Sequence, residues 1–403
     1  MSEFPDRVIV VTDNAHVNGG SGKVALNSAV ALQRRGIPTT IFAAAGPVAA
    51  DLAAEPGLEV LCTNQPEILN DPDRLAAARR GIWNTTARAA MRKRLAAADR
   101  KRTIVHVHSW TKALSSSVVA AAIEAEFPVV ATLHEYFTAC PVGSFFDHQR
   151  GEICKVRPMG SACLTRNCDP RSAVHKAWRV GRHAVQRSFG HVPGGIKHFI
   201  TISELSEAVL RPYLPSDAVV HGLANPIDVE RREPVQPALS REYTFVGRLS
   251  QEKGVVLFAR AAHRLGIQAV FVGDGECADD VRAACPSAII TGWIDPAAAL
   301  ERMRSARVVV LPSLWYENAP LVVPEAAAMG LPAVVPDTSA AREQIVEGVT
   351  GLAFHGASED DLVAKLAMLS ADALVARLGA EAYATYWRRP QSMDAHVEGL
   401  LDV

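Results

Sequence analysis

The sequence predicts an α/β protein of two domains, each built on a mostly parallel, doubly wound sheet. Three observations carry that expectation. Aliphatic runs of strand length alternate with helix-period segments in two separate series along the chain. Each series opens on a strand, a polar or Gly-rich turn and a helix, the beginning of a βαβ unit. And 403 residues exceed the usual size of a single hydrophobic core.

Composition narrows the class. The net charge of −1 argues against a general nucleic-acid binder, and 49% apolar with 21% charged residues is the balance of a globular enzyme. The N-terminal segment enters a strand without a basic region and apolar core, and no apolar run is long enough to cross a bilayer. These features predict a cytoplasmic protein whose seven cysteines are not a disulfide framework.

In chain order, Arg7 to Thr12 reads as the first strand. The turn Asn18-Gly19-Gly20-Ser21-Gly22 leads into a helix from Lys23 to Arg35, and Thr39 to Ala44 follows as a strand. A Gly-rich turn at a helix N-terminus is an anion site, since its N–H groups have no intrahelical partner. It is not a Walker A loop, because Val17 and Val24 stand where Gly and Ser/Thr are needed. Residues 79–102 are strongly basic, with Trp83, Met91 and Leu95 interspersed. They read either as a solvated helix face or as an amphipathic helix resting on an anionic membrane surface.

Strands at Thr103 to His108 and Pro128 to Leu133 bring His108 to the end of one and His134 just after the other. Ligands of open α/β sheets bind at the carboxyl ends of strands, so both are site candidates beside the plainer reading of hydrogen-bonded structural histidines. Cys140, Cys154, Cys163 and Cys168 fall in an irregular insert at about 138–170. They are a candidate thiolate set for a structural zinc, although no C-x-x-C pair is present; packed reduced thiols and a redox bridge are the alternatives. A helix from Pro170 to Ser188 and a strand at His198 to Ser203 lead to a domain boundary near 220.

The second series starts with a strand at Tyr243 to Leu249, the turn Ser250 to Gly254, and a helix carrying Leu257, Phe258, Ala261 and Leu265. Arg248 and Lys253 flank that helix start, so two cations and a helix dipole converge, as a diphosphate requires. Gly273 and Trp293 lie in turns that follow the next two strands, at the same sheet edge. A strand at Val308 to Leu311 then enters a polar turn and an Ala-rich helix ending at Gly330. Glu317 lies in the turn and Glu325 on the helix. Between them Asn318, Ala319, Leu321 and Val322 mark the helix start, where free N–H groups meet a phosphate. Carboxylates accept hydrogen bonds from hydroxyls. A diphosphate flanked by two polyol rings, a nucleotide-sugar, suits this arrangement.

GRLSQEKG at 247–254, the Glu317-x7-Glu325 pattern, VEGVTGL at 346–352 and NGGSGKVALNSAVAL near the N-terminus together resemble the retaining, GT-B-fold glycosyltransferases of family 4. The resemblance implies two Rossmann-like domains facing across a cleft. Residues 1–220 would be the acceptor side, 221–380 the nucleotide-sugar side, and 381–403 a helix returning to the N-terminal domain. It implies that Arg248 and Lys253 neutralise the donor diphosphate, Glu317 binds sugar hydroxyls, and Glu325 binds the ribose. His134 matches a histidine near donor sugar and acceptor, and Gly20 and Gly22 match a mobile loop. NGGSGKV stands where Gly-Gly-Ala/Ser-Glu is more usual, which leaves Lys23 as either an extra cation or a solvent-facing residue.

The implied reaction is metal-independent, retaining transfer from a UDP- or GDP-sugar to a lipid-linked or cell-envelope glycan. The basic 79–102 stretch would supply peripheral contact with the inner membrane face. The two rival readings are a nicotinamide-dependent two-Rossmann oxidoreductase and a non-catalytic nucleotide-binding scaffold of the same fold. No G-x-G-x-x-G is completed, and the four charged motif residues are present, so both rank behind glycosyl transfer.

Overall fold

Residues 5–403 are described by a computed structural model, and they separate into two compact units. The first takes the described chain up to Ser144, then Lys155–Pro226 and Ser392–Val403; the second takes Phe145–Cys154 and Ile227–Gln391.

The first five strands are β1 (Arg7–Val11), β2 (Thr39–Ala43), β3 (Glu59–Cys62), β4 (Thr103–Val107) and β5 (Val129–Thr132). A short antiparallel hairpin, β6 (Phe146–Asp147) and β7 (Glu152–Ile153), follows within the cysteine-bearing insert and groups with the second unit. With β8 (His198–Thr201) and β9 (Val219–Gly222), the first unit forms a parallel sheet of order β3-β2-β1-β4-β5-β8-β9. Its central strands are continuous Val, Ile and Phe runs because helices cover both faces. Strand order reverses between β1 and β4, so their carboxyl ends open onto one crevice.

The helix after β1, Gly20–Arg34, begins earlier than the sequence pattern suggests, with Gly19 at φ 89 as its cap. Gly20 and Gly22 are therefore first-turn residues of a helix. Helix Met393–Leu401 packs in the same unit: Val397 is fully buried with Val8, Val10 and Leu26. Helix Asp372–Arg388 stays in the second unit, where Trp387 Nε1 donates to the Ala328 carbonyl at 2.9 Å. The segment expected to return from residue 381 thus does so only from Ser392.

Most of the basic stretch lies on helices Arg74–Ile82 and Thr85–Ala96. Met91 and Leu95 are buried in the first unit. Arg80 pairs with Asp71 at 2.7 Å, Arg88 with Glu124 at 2.5 Å and Arg94 with Glu59 at 3.1 Å; Arg100 pairs with Glu126 and Arg102 with Asp6. Met91 and Leu95 therefore face the core, and acids distant in sequence neutralise much of the charge, which favours the solvated-face reading of 79–102 over the membrane-resting one. Among the described residues, no helix is long and apolar enough to cross a membrane.

The second unit repeats the plan with β10 (Glu242–Val246), β11 (Gln268–Val272), β12 (Ile289–Ile290), β13 (Val308–Val310), β14 (Ala333–Pro336) and β15 (Gly351–Phe354). All are parallel, in the order β12-β11-β10-β13-β14-β15, which places the reversal between β10 and β13. Phe245, Phe258 and Phe271 form its aromatic centre, with ring centroids 5.1 and 6.0 Å apart along the contact series. Below them Arg307, 1% exposed, ties four loop carbonyls together. It donates to Leu369 at 2.7 Å, Ser370 at 2.9 Å, and Ala238 and Ser240 at 3.1 Å, and it pairs with Asp372 at 2.7 Å.

Replacing Arg307 by Met removes the donor from all four carbonyls, of which the Leu369 carbonyl is buried. The expected cost is about 3 kcal/mol, read by urea unfolding of the purified variant. An unchanged midpoint would show that the loops do not depend on it.

Candidate functional site

At the reversal point of the second unit, two loops meet. The first runs from β10 through Arg248 to the short 3-10 turn Gln251–Lys253 and helix Val255–Leu265. The second leaves β13 and passes through Glu317 to helix Val322–Met329. Leu314 N donates to the Glu252 carbonyl at 2.8 Å, which joins them backbone to backbone. The approach needs Gly254. Its φ is +66, and a Cβ there would lie 1.9 Å from the Pro312 carbonyl oxygen, an impossible overlap.

This seam brings the predicted charged residues together. Lys253 Nζ donates to Glu317 Oε1, and Ser313 Oγ donates to Glu317 Oε2, so a buried carboxylate is held at both oxygens. The Lys253 ammonium also lies 5.8 Å from the Trp315 ring centre. Arg248 is mostly exposed and donates through Nη2 to Glu252 at 2.7 Å. Glu252 is buried and also accepts from Ser250 Oγ at 2.7 Å. Burial works against its charge, yet these hydrogen bonds and the Arg248 cation hold its carboxyl below the usual range.

Glu325 sits in the first turn of its helix, with Asn318, Ala319, Leu321 and Val322 leading into it. Burial and the Glu325 charge push the Tyr386 hydroxyl up to about 12, which places Glu325 beside Tyr386. Gly273 has φ +143, and a Cβ there would stand 2.0 Å from the Gly247 oxygen, so its turn presses on the β10 loop. Gly273 also forms an isolated bridge with Gly292, next to the exposed Trp293.

The first unit has its own cluster at the carboxyl ends of β1, β4 and β5. His108 Nδ1 and His134 Nε2 are 2.9 Å apart, so one ring donates and the other accepts. His106 Nε2 lies 2.7 Å from Thr132 Oγ1, and its ring centre is 4.1 Å from that of His108. Burial lowers the pKa of His106 to about 3 and that of His134 to about 3, so both are neutral near pH 7. Ser21, His108, Trp110, His134, Glu135 and Phe137 line a small pocket. Burial, with the nearby Asp13 charge, pushes the Glu135 carboxyl up against the pull of Lys112, Arg182 and Arg179. Asp13 accepts from Lys112 N, Ala113 N and Leu114 N at 2.8–3.1 Å and so fixes the loop after β4.

The structure therefore gathers Arg248, Lys253 and Glu317 in one unit and His134 with His108 in the other. Glu252, Glu135, Asp13 and the His106 contact escaped the sequence reading. Glu252 alone had a visible signal, since it lies inside the quoted GRLSQEKG.

The structure does not bring the four zinc-candidate cysteines into one cluster among the described residues. Among the described residues, no group of three or more His, Cys, Asp or Glu is placed to hold a metal ion. Lys176 Nζ lies 3.2 Å from Cys168 Sγ and 3.6 Å from Cys163 Sγ, so an ammonium occupies that space. Cys154 ends the hairpin segment that groups with the other unit.

Two Rossmann-like units with charged groups at the reversal point of the second have the architecture of nucleotide-binding enzymes. The model for Glycosyltransferase Family 4 matches residues 18–231, over half of the chain, and that for Glycosyl transferases group 1 matches 240–372. The chain belongs to glycosyltransferase family 4. It is 27% identical over 367 residues to the alpha-maltose-1-phosphate synthase of Mycobacterium tuberculosis, covering 82% of this chain and 85% of that one. It is 37% identical over 108 residues to a GDP-mannose-dependent alpha-mannosyltransferase of Mycolicibacterium smegmatis, covering 27% and 28%. The crystal structure of Anabaena HepE in complex with UDP superposes with a TM-score of 0.66 at 15% identity over 98% of each chain, which shows the shared GT-B fold. The protein is thus a glycosyltransferase using a nucleotide-sugar donor and a glycan acceptor, and the oxidoreductase alternative is not favoured.

The neutral histidines set a pH dependence. In the unfolded chain they protonate near 6.5, whereas folded His106 and His134 resist until about 3. Stability is fully present above about 6.5 and falls as pH drops from there toward 3. The melting temperature is expected to decline between pH 7 and 5, with a shallower decline in His106→Gln. Equal slopes would place the proton uptake elsewhere.

Proposed function

We propose that the protein transfers a sugar from a UDP- or GDP-sugar to a glycan with retention of anomeric configuration and without a catalytic metal. The observation that carries this reading is the Lys253–Glu317 pair beside Arg248, at the carboxyl ends of β10 and β13. An ammonium has three donors, so Lys253 can bond Glu317 and a phosphate oxygen together. Arg248 supplies a second cation with donors to spare. Together with the free N–H groups of helix Val322–Met329, they balance the charge that develops on the departing diphosphate, the role a divalent cation would otherwise fill.

Glu317, oriented by Lys253 and Ser313, accepts from hydroxyls of the transferred sugar, and Glu325 accepts from those of the ribose. Asn318, Ala319, Leu321 and Val322 line the phosphates, while Gly273 and Trp293 flank the base. Gly20 and Gly22, in the first helical turn of the first unit, let substrate approach the backbone closely, and His134 serves the acceptor side. Neither glutamate acts as a nucleophile in this scheme, because both are committed to recognition. We therefore infer front-side attack. The acceptor oxygen bonds to the anomeric carbon as its bond to the diphosphate oxygen breaks, and the hydroxyl proton passes to that leaving oxygen. The transition state carries oxocarbenium character, which the nearby carboxylate charge favours.

Melting curves with UDP, GDP, ADP and their sugars identify the donor, and release of free nucleoside diphosphate then reports turnover. With that donor, Lys253→Ala is expected to lower kcat about 100-fold. Glu325→Gln is expected to weaken nucleotide binding about 10-fold while leaving the diphosphate contacts in place. Unchanged donor affinity and turnover in Glu325→Gln would remove the ribose assignment, and inversion seen by NMR of the product would remove front-side attack.

A further inference from the structure

We propose that Glu252 is a positioning residue that aims Arg248 at the donor diphosphate. The inference rests on the reading of Arg248 as a diphosphate ligand and extends it to a residue that touches no substrate. Arg248 is 67% exposed at its side chain, and among the described residues its only partner is Glu252. A free arginine of that exposure samples many rotamers, and ordering it on binding costs side-chain entropy.

Glu252 is built to remove that freedom. Its side chain is buried, its Oε1 is held by Ser250 Oγ at 2.7 Å, and its backbone carbonyl is pinned by Leu314 N at 2.8 Å. The hairpin β6–β7 also abuts this turn: a Cβ on Gly151 would lie 3.3 Å from Gln251 Nε2. A fixed carboxylate therefore takes one N–H of Nη2 and sets the plane of the guanidinium. The Nε and Nη1 donors stay available for phosphate oxygens.

Competition predicts the opposite sign. If Glu252 blocked Arg248, removing its charge would tighten anion binding. Only one of five donors is engaged, so orientation outweighs blocking.

Inorganic pyrophosphate tests this without knowledge of base or sugar. Its affinity is measured by titration calorimetry on the full-length protein, Glu252→Gln, Arg248→Met and the double variant. Glu252→Gln is expected to weaken binding about five-fold, and to have no further effect once Arg248 is Met. Tighter binding in Glu252→Gln, or an equal loss with and without Arg248, overturns the proposal, since the latter is what a merely structural role produces. Glu252→Asp keeps the charge but withdraws it by one methylene, and its affinity must also fall. If Arg248→Met alone leaves pyrophosphate binding intact, the diphosphate reading itself fails and this proposal with it. If only the Glu252 variants are silent, the diphosphate reading stands alone.

Discussion

The close approach of Gly254 to the Pro312 carbonyl is the constraint on which the second unit's site depends. With no Cβ in the way, the β10 turn lies directly on the β13 turn, and Leu314 and Glu252 close the seam with a backbone hydrogen bond. Gly273 does the same for the neighbouring turn against Gly247. Three loops thus form one surface in which backbone touches backbone. Lys253 meets Glu317 because of this, although 64 residues separate them. A side chain at Gly254 would push the loops apart by more than a hydrogen bond can span, and the pairing would go with it.

The two units solve the problem of concentrated polar groups differently. In the second, each cation already faces a carboxylate within the chain, so the surface carries charge without net repulsion. In the first, burial keeps His106 and His134 neutral; the contacts of His108 with His134 and of His106 with Thr132 satisfy part of the cluster, while His108 Nε2 is buried without a partner among the described residues.

Much of the architecture was legible in the sequence because buried parallel strands read as unbroken aliphatic runs, as at Val8–Val11 and Val308–Val310. Arg248, Lys253 and Glu317 were legible because each sits at a strand end beside a helix start. What stayed hidden depends on long-range contact. Strand β3 (EVLC) and strand β9 (VVHG) are short edge strands with a polar or glycine position, so neither shows a strong periodic signal. The basic run on 79–102 looked unbalanced because its acids, Glu59, Asp71, Glu124 and Glu126, come from elsewhere in the chain. Likewise, spacing alone could not show that Lys176 lies between Cys163 and Cys168, or that Cys154 groups with the other unit.

The final helix gives the chain an unusual connectivity. Residues 227–391 are inserted between two parts of the first unit, and Ile227 N bonds the Gln391 carbonyl at 2.7 Å where the chain leaves and returns. The second unit is therefore a cassette with adjacent ends. Transplanting it whole between relatives requires two cuts, near Pro226 and Ser392, and the hairpin at Phe145–Cys154 has to travel with it. A single crossover in the middle of the gene would instead give a first unit a foreign residue at Val397, and so disturb the core of the unit it was meant to leave intact.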